Sequence, residues 1–397
     1  MKILIVHEVN YLSKIIYEFQ ILPETLSLLG HEVTIVDYND SWNTERSSSV
    51  VDLRTTVHKD IHRAYPQARV TVRRPGMVRL PIISRVSGSL TAALEIARVL
   101  RDDRPDVILL YGLPTIGLQT LWLAGARGVP VVFRSIDVSH QLVPRPLSGI
   151  TKVFEGFVFN SVDLNIALTP HLHKYISAYG VSDRCLKLLP SGVDVEMFSP
   201  GPRNNELLRR WNIGEKDPVV LFMGTLYRFC GLDRVITDFD NVLGEHPSTR
   251  LLIVGAGEDE GRLSGLAKKR GLEKNVILTG MQPYAMLPAF IRSSDVCINP
   301  FELNGITENI LPTKLFQYMT CEKPVLATAL PGTLTFLPGE EQGIVYADLD
   351  NFCETLSGLL SDEQLRQTLG ARALTAARGY GWRQIAETMV RWLQEVV

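Results

Sequence analysis

Short, unbroken runs of Val, Ile and Leu recur along the chain, each followed by a helix-length stretch. In the first half the runs are Lys2–His7, Val33–Val36, Val107–Tyr111, Val131–Phe133, Asp163–Ala167 and Leu186–Leu189. In the second they are Val219–Met223, Leu251–Val254, Val276–Leu278, Val296–Asn299, Pro324–Thr328 and Ile344–Tyr346. Strands apolar at every position, rather than at alternate ones, are buried on both faces, the condition of a parallel sheet covered by helices. Helices such as Ser87–Arg101, with Ser87 as N-cap, are predicted between them. The Pro- and Gly-rich stretch Pro190–Pro202 separates the two series. The expectation is an α/β chain of two Rossmann-like, doubly wound domains facing a cleft: residues 1–195, residues 196–379, and a terminal helix at 380–397 crossing back to the first. Ligands in such sheets bind beyond the carboxyl ends of the strands.

Composition removes other classes. With 41 Lys and Arg against 43 Asp and Glu, the net charge of -2 gives no global attraction to nucleic acid. The 5 cysteines are scattered and never in C-x-x-C spacing, which fits a reducing compartment rather than a disulfide framework or zinc ribbon. No H-E-x-x-H occurs, and His171 and His173 lack further ligands nearby, so no metal is expected. His7 and Glu8 end the first apolar run too early for a secretory signal. The uncharged window Val107–Ala126 is interrupted by Gly112 and Gly117, so it reads as strand, turn and helix rather than a membrane span. A cytoplasmic protein is expected, with peripheral contact at the inner membrane face left open.

Three motifs bear on chemistry. Gly255-Ala-Gly257-Glu-Asp-Glu-Gly261 follows a strand and opens a helix, where backbone amides approach a phosphate; the plain alternative is a tight turn. Asp238-Phe-Asp240 and Asp348-Leu-Asp350 are D-x-D pairs of the type that chelates a nucleotide-bound cation. The first falls inside a predicted helix and the second at a helix start, so both read as structural. Pro300–Thr328 leaves a strand, crosses a polar loop and enters a helix near Leu311-Pro312. That helix start offers free amides, Lys314 adds a charge, and Gln317 lies close to the same face.

Four segments in order resemble the retaining glycosyltransferases of the GT-B fold, specifically family four. They are Leu29–Thr34, Pro190–Pro200, Phe222–Asp233 and Pro300–Thr328, with Leu252–Gly257 and Ile277–Gly280 fitting between. The resemblance implies a nucleotide-sugar donor held by the second domain, UDP-linked by family frequency with GDP the alternative, and an acceptor met by the first. No metal is implied. It places Gly224, Thr225, Gly255, Gly280, Met281, Glu308, Asn309, Ile310, Leu311 and Gln317 on the donor, and Arg228 and Lys314 on its diphosphate. Asp137 would orient the acceptor, with Asn10, Tyr11 and His140 nearby.

The sequence departs from the family's pattern in places. Two glutamates eight positions apart are usual; Asn309 and Gln317 stand there, with Glu302 and Glu308 close by. The loop after Gly224 usually offers an Arg and a Lys; Thr225 and Cys230 stand there. His7-Glu-Val-Asn-Tyr11 replaces a glycine-rich turn, and Ile136 a histidine. Readings left open are a catalytically impaired nucleotide-sugar-binding or scaffold protein, an epimerase and a phosphorylase. Finally, Arg54, Lys59, Arg63, Arg69, Arg73, Arg74, Arg79 and Arg85 form a basic window containing one acid, Asp60. Broken by Pro66, Pro75 and Gly76, it reads as an exposed edge with Arg73 and Arg74 binding an anionic or lipid-linked acceptor, or as a solvated face.

Overall fold

The computed structural model describes residues 1–14, 16–38, 50–80, 83–113, 115–141, 143 and 145–397. Its contacts divide the chain into two units, Met1–Ser191 with Trp382–Val397, and Gly192–Gly381. Val193 bridges Gly381, which ties the two ends of the second unit together.

The first unit runs β1 (Lys2–Val6), α1 (Glu18–Leu28), β2 (Glu32–Val36), β3 (Val51–Asp52), β4 (Thr56–Ile61), β5 (Val70–Arg74), β6 (Met77–Val78), α2 (Ile83–Asp102), β7 (Val107–Leu110), α3 (Gly117–Gly125), β8 (Val131–Ser135), α4 (Arg145–Ser161), β9 (Leu164–Ala167), α5 (Pro170–Ser177) and β10 (Leu186–Leu188). Its main sheet has the order β10-β9-β8-β7-β1-β2-β5-β4, parallel except at β4; β3 and β6 form a separate antiparallel pair. Residues Ala92, Ile96, Val158, Phe159, Leu172 and Ile176 from α2, α4 and α5 share one core cluster. A second cluster joins Ile3, Ile5, Val70 and Val72 to Ile21, Leu22 and Leu26 of α1.

Two expectations fail here. The basic window is not a string of loops. Val33–Val36 of β2 pairs in parallel with Val70–Arg73, and β4 closes the edge antiparallel, with a bulge between His58 and Ile61 where Asp60 takes φ 53°. Val70 and Val72 are buried while Thr71 and Arg73 are not fully so; the alternation was legible, and Pro66 and Pro75 bound the strand rather than break it. Ser87 is not an N-cap. Helix α2 begins at Ile83, and the Ser87 hydroxyl donates to the Ile83 carbonyl at 2.7 Å.

The second unit runs α6 (Asn205–Arg209), β11 (Val219–Met223), α7 (Leu232–Glu245), β12 (Arg250–Val254), α8 (Glu260–Lys269), β13 (Val276–Leu278), α9 (Leu287–Arg292), β14 (Val296–Asn299), α10 (Thr313–Thr320), β15 (Val325–Ala327), α11 (Pro331–Leu334), β16 (Ile344–Tyr346), α12 (Phe352–Ser361) and α13 (Glu363–Ala377). The sheet is fully parallel, order β13-β12-β11-β14-β15-β16. Asp362 caps α13, its carboxylate accepting from the Leu365 amide at 2.8 Å. The last helix, α14 (Trp382–Val396), belongs to the first unit, where Trp382, Ile385, Ala386, Met389 and Leu393 are buried with α1. Each large apolar side chain so buried contributes about 1.5–3 kcal/mol.

Candidate active site

In the second unit the loops leaving β11, β12 and β13 are laced together by their own backbones. The Gly224 amide donates to the Val254 carbonyl at 2.9 Å, Leu226 to Ala256 at 3.1 Å and Gly255 to Gly280 at 3.1 Å. This approach requires glycine: a Cβ on Gly255 would stand 1.9 Å from the Gly224 oxygen, and φ is +143° there. Gly231 likewise, at φ +66°, would place a Cβ 1.9 Å from the Pro300 oxygen. The result is a backbone-walled shelf at the carboxyl ends of the strands. Met281, 61% exposed beside Gly280, offers it an apolar edge.

Lys314 projects from the first turn of α10 onto this shelf. Its Nζ lies 3.9 Å from the Phe222 ring centre and 4.6 Å from that of Phe301, and a Cβ on Gly224 would meet it at 2.9 Å. No carboxylate pairs with it among the described residues. Burial lowers its pKa from 10.5 to about 8, opposed by the nearby Cys230; the amine is still charged at neutral pH, and the two ring faces stabilise it. The α10 N-terminus has no side-chain cap; the Leu315 amide donates to the Pro312 carbonyl at 3.1 Å, which leaves those of Thr313 and Lys314 to a ligand or solvent. Arg228 is exposed in the short 3-10 turn Arg228–Cys230, and Thr225 is exposed before it. The Cys230 thiol is spent on the Thr225 carbonyl at 3.4 Å.

The remaining donor candidates divide. Leu311 is buried in the core, which leaves only its backbone at the helix entrance. The Ile310 carbonyl accepts from Thr333 at 3.2 Å. Glu308 is exposed, its amide donating to Asn304 at 2.9 Å. Gln317 lies beside the Tyr284 hydroxyl. The side chain of Asn309 lies outside the described residues. Asp240 is paired with Arg270 at 2.6 Å and Asp350 with Arg234 at 2.5 Å.

Sequence reasoning missed Asn299. This residue is 1% exposed at the end of β14, and neither its Oδ1 nor its Nδ2 has a partner among the described residues. Alternation along the strand puts it on the face of Cys297, which packs in the α10 cluster. A buried amide left unsatisfied costs about 1–3 kcal/mol, a cost that a ligand's hydroxyl or phosphate would offset.

In the first unit a cavity of about 280 Å³ opens at the carboxyl ends of β1, β7 and β8, lined by Glu8, Phe19, Arg85, Tyr111, Ile136, Asp137 and Ser139 among others. Glu8 accepts from the Thr115 and Ile116 amides at 2.7 and 3.2 Å and faces Arg85 at 3.9 Å; burial raises its carboxyl above the usual range. Asp137 stands at the cavity's exposed rim, its carboxyl also raised by the surrounding protein. Behind it Arg134 is fully buried, bridging Glu18 at 2.7 Å and the Leu189 carbonyl at 2.6 Å, while Tyr111 and Ser191 also donate to Glu18. That network fixes the end of β8, from which Asp137 follows. His140 is held by Glu155 at 2.8 Å and by the Tyr175 hydroxyl at 3.1 Å.

The other acceptor candidates are committed elsewhere. Tyr11 is wholly buried, its hydroxyl donating to Glu24 at 2.8 Å. The buried Asn10 amide oxygen accepts from the Leu12 and Ser13 amides and from Arg74 at 2.6 Å. Arg74 is paired with Asp37, and Arg73 with Glu95 at 3.0 Å and Asp103 at 3.1 Å. Arg63 holds the Tyr11 and Lys14 carbonyls at 2.8 and 2.7 Å. The arginines chosen from sequence as acceptor ligands thus brace the sheet.

Comparison with known proteins accounts for both halves. Residues 22–197 match the family model described as Glycosyltransferase Family 4, and residues 204–375 that described as Glycosyl transferases group 1. The chain belongs to glycosyltransferase family four. A GDP-mannose-dependent monoacylated alpha-(1-6)-phosphatidylinositol monomannoside mannosyltransferase of Corynebacterium glutamicum is 26% identical over 88% of this chain and 91% of its own length. A D-inositol 3-phosphate glycosyltransferase of Corynebacterium jeikeium is also 26% identical, over 62% of this chain and 60% of its own length. Among solved structures, sucrose-phosphate synthase of Thermosynechococcus elongatus superposes with a TM-score of 0.73 at 17% identity, covering 100% of this chain and 98% of that one. Anabaena Alr3699/HepE in complex with UDP gives 0.72 at 14%, covering 100% of both chains. The fold of this glycosyltransferase is therefore GT-B, and its donor is a nucleotide sugar. No helix among the described residues is long and apolar enough to cross a membrane.

Proposed function

We propose that this glycosyltransferase moves a hexose from a nucleoside diphosphate sugar to a hydroxyl of a phosphate-bearing acceptor, with retention of anomeric configuration and without a divalent ion. The observation that carries it is the Lys314 ammonium, held over a glycine shelf with no carboxylate among the described residues to neutralise it. Breaking the anomeric carbon–oxygen bond puts negative charge on the departing diphosphate. A fixed cation, the α10 amides and Arg228 are suited to receive that charge. The acceptor oxygen bonds to the anomeric carbon on the face the phosphate leaves, and its proton passes to the phosphate oxygen. The protein's part is positioning, with Asp137 and Glu8 at the first unit's cavity orienting the acceptor.

The acceptor class rests on the relatives, named for inositol phosphate and phosphatidylinositol mannoside substrates. Among the described residues, Arg85, its side chain 68% exposed at the cavity rim and 3.9 Å from Glu8, is a cation suited to meet a phosphate there. The test is a screen of GDP-mannose, UDP-glucose and their nucleotides by thermal shift, followed by proton NMR of the product formed with inositol phosphate in excess chelator. An α-linked product from an α-linked donor is expected. An inverted product, or transfer that collapses in chelator and returns with magnesium, overturns the reading.

A further inference from the structure

The outer surface of one helix layer of the first unit is apolar where a doubly wound domain normally meets water. Along α2, Ile83, Val86, Leu90 and Leu94 are 49%, 60%, 64% and 69% exposed, and their spacing puts them on one face. Along α4, Leu147, Ile150, Val153 and Phe157 repeat the pattern at 52%, 56%, 70% and 57%. Helix α3 packs against both and adds Trp122, 75% exposed. Between α3 and α4 these side chains edge a groove of about 540 Å³. Single exposed apolar residues are ordinary; a set shared by three neighbouring helices marks an interaction surface.

Charge selects the partner. From Ile83 to Arg101, and through α3 and α4, the carboxylates are Glu95 and Glu155. Both are buried, Glu95 against Arg73, Arg98 and Thr55, Glu155 against His140 and Tyr175, while Asp102, the last residue of α2, is exposed. The exposed cations of these helices are Arg85, Arg98, Arg101 and Lys152, with Arg127 in the turn after α3; Arg85 faces Glu8 and Arg98 is paired with Glu95. Arg101 is paired with Asp102. Two copies meeting through this face would set cation against cation, since the exposed carboxylate described on these helices, Asp102, is already paired with Arg101. An anionic bilayer supplies both an apolar interior and matching charge.

We infer that the outer face of α2, α3 and α4 binds an anionic lipid surface, the apolar side chains entering the headgroup boundary and the cations meeting lipid phosphates. This surface stands whether or not the acceptor is a lipid, since binding is read without sugar transfer. The full chain is spun with vesicles of phosphatidylcholine and phosphatidylglycerol, and with phosphatidylcholine alone. Binding to the mixed vesicles is expected, with a tryptophan blue shift that Trp122→Phe abolishes. Leu90→Glu with Leu94→Glu, or Phe157→Glu, should weaken partition at least roughly tenfold and leave the melting curve and nucleotide affinity unchanged. No vesicle binding, binding indifferent to these substitutions, or a solution dimer that the double variant dissociates would each overturn the inference. Loss of transfer to soluble inositol phosphate would instead count against the acceptor reading.

Discussion

Lys314→Met separates function from stability at one residue. Methionine keeps an unbranched, flexible side chain against Phe222 and Phe301 while removing the charge. The lysine's folded pKa is about 8 against 10.5, and one unit corresponds to about 1.4 kcal/mol, so the charged amine costs the ligand-free fold about 3 kcal/mol at most. The sign follows from proton counting. Between about pH 8 and 10.5 the unfolded chain holds a proton that the folded chain has released, so stability rises with pH across that window. Below about 8 the penalty is fully present. Lys314→Met should therefore stabilise the ligand-free protein at pH 7, by up to about 3 kcal/mol less what the cation–π contacts contribute, and the gain should shrink as pH climbs to 10.5. Nucleoside diphosphate affinity should move the other way. Loss of a hydrogen bond to a charged group costs about 1.5–3 kcal/mol, a fall of roughly 10- to 150-fold. Binding to the parent at pH 8.5 should take up protons, because the diphosphate raises the amine's pKa. Urea melts across pH, and calorimetry in two buffers of different ionisation enthalpy, read both effects. A destabilised Lys314→Met with unchanged nucleotide affinity would show that the lysine only fills space, and the diphosphate assignment would go with it.

Gly255→Ala should weaken nucleotide binding by at least about 1.4 kcal/mol, tenfold, because the shelf must part to admit a Cβ 1.9 Å from the Gly224 oxygen; parental affinity by titration would refute the shelf. Glu18→Gln should cost about 3–5 kcal/mol in urea unfolding by leaving Arg134 buried and uncompensated, and a loss under about 1 kcal/mol would contradict that network. His7, wholly buried with its pKa lowered to about 4, holds no proton in the fold where the unfolded chain does between about pH 6.5 and 4. Stability should drop as the pH is lowered from about 6.5 to 4 and His7→Phe should flatten the slope, while Glu8, raised by burial, titrates in the opposing sense.

The strands were legible because burial on both faces writes itself as uninterrupted Val, Ile and Leu. The second unit's runs Val219–Met223, Val276–Leu278 and Val296–Asn299 appear in the structure as β11, β13 and β14 with those bounds. β5 was lost because its alternation, Val70-Thr-Val-Arg-Arg74, lay inside a window whose charge drew attention away from its period. The glycine shelf was half legible. Gly255-Ala-Gly257 announced close backbone approach, but its partner, the carbonyl of Gly224, lies a strand away. Asn299 gave no signal, since an amide ending an apolar run is a common strand terminus until its partners are counted.

The arginine window shows why charge density alone does not locate a binding surface. Part of the imbalance of eight bases against one acid is met by groups distant in sequence. Asp37 precedes the window, Glu95 and Asp103 follow it, and Arg63 is satisfied by backbone carbonyls. Those buried carboxylates have a second effect. Glu155, drawn inward to hold His140, is unavailable to Lys152 of α4, while Glu95, drawn inward to hold Arg73, reaches only Arg98 among the exposed cations of α2. The acids that neutralise the apparent patch on one side of the sheet thus leave a net positive, apolar face on the helices that carry them. The positive surface that sequence reasoning sought near Arg73 and Arg74 is on this argument displaced onto α2, α3 and α4, where apolar side chains give a bilayer more to hold than charge alone.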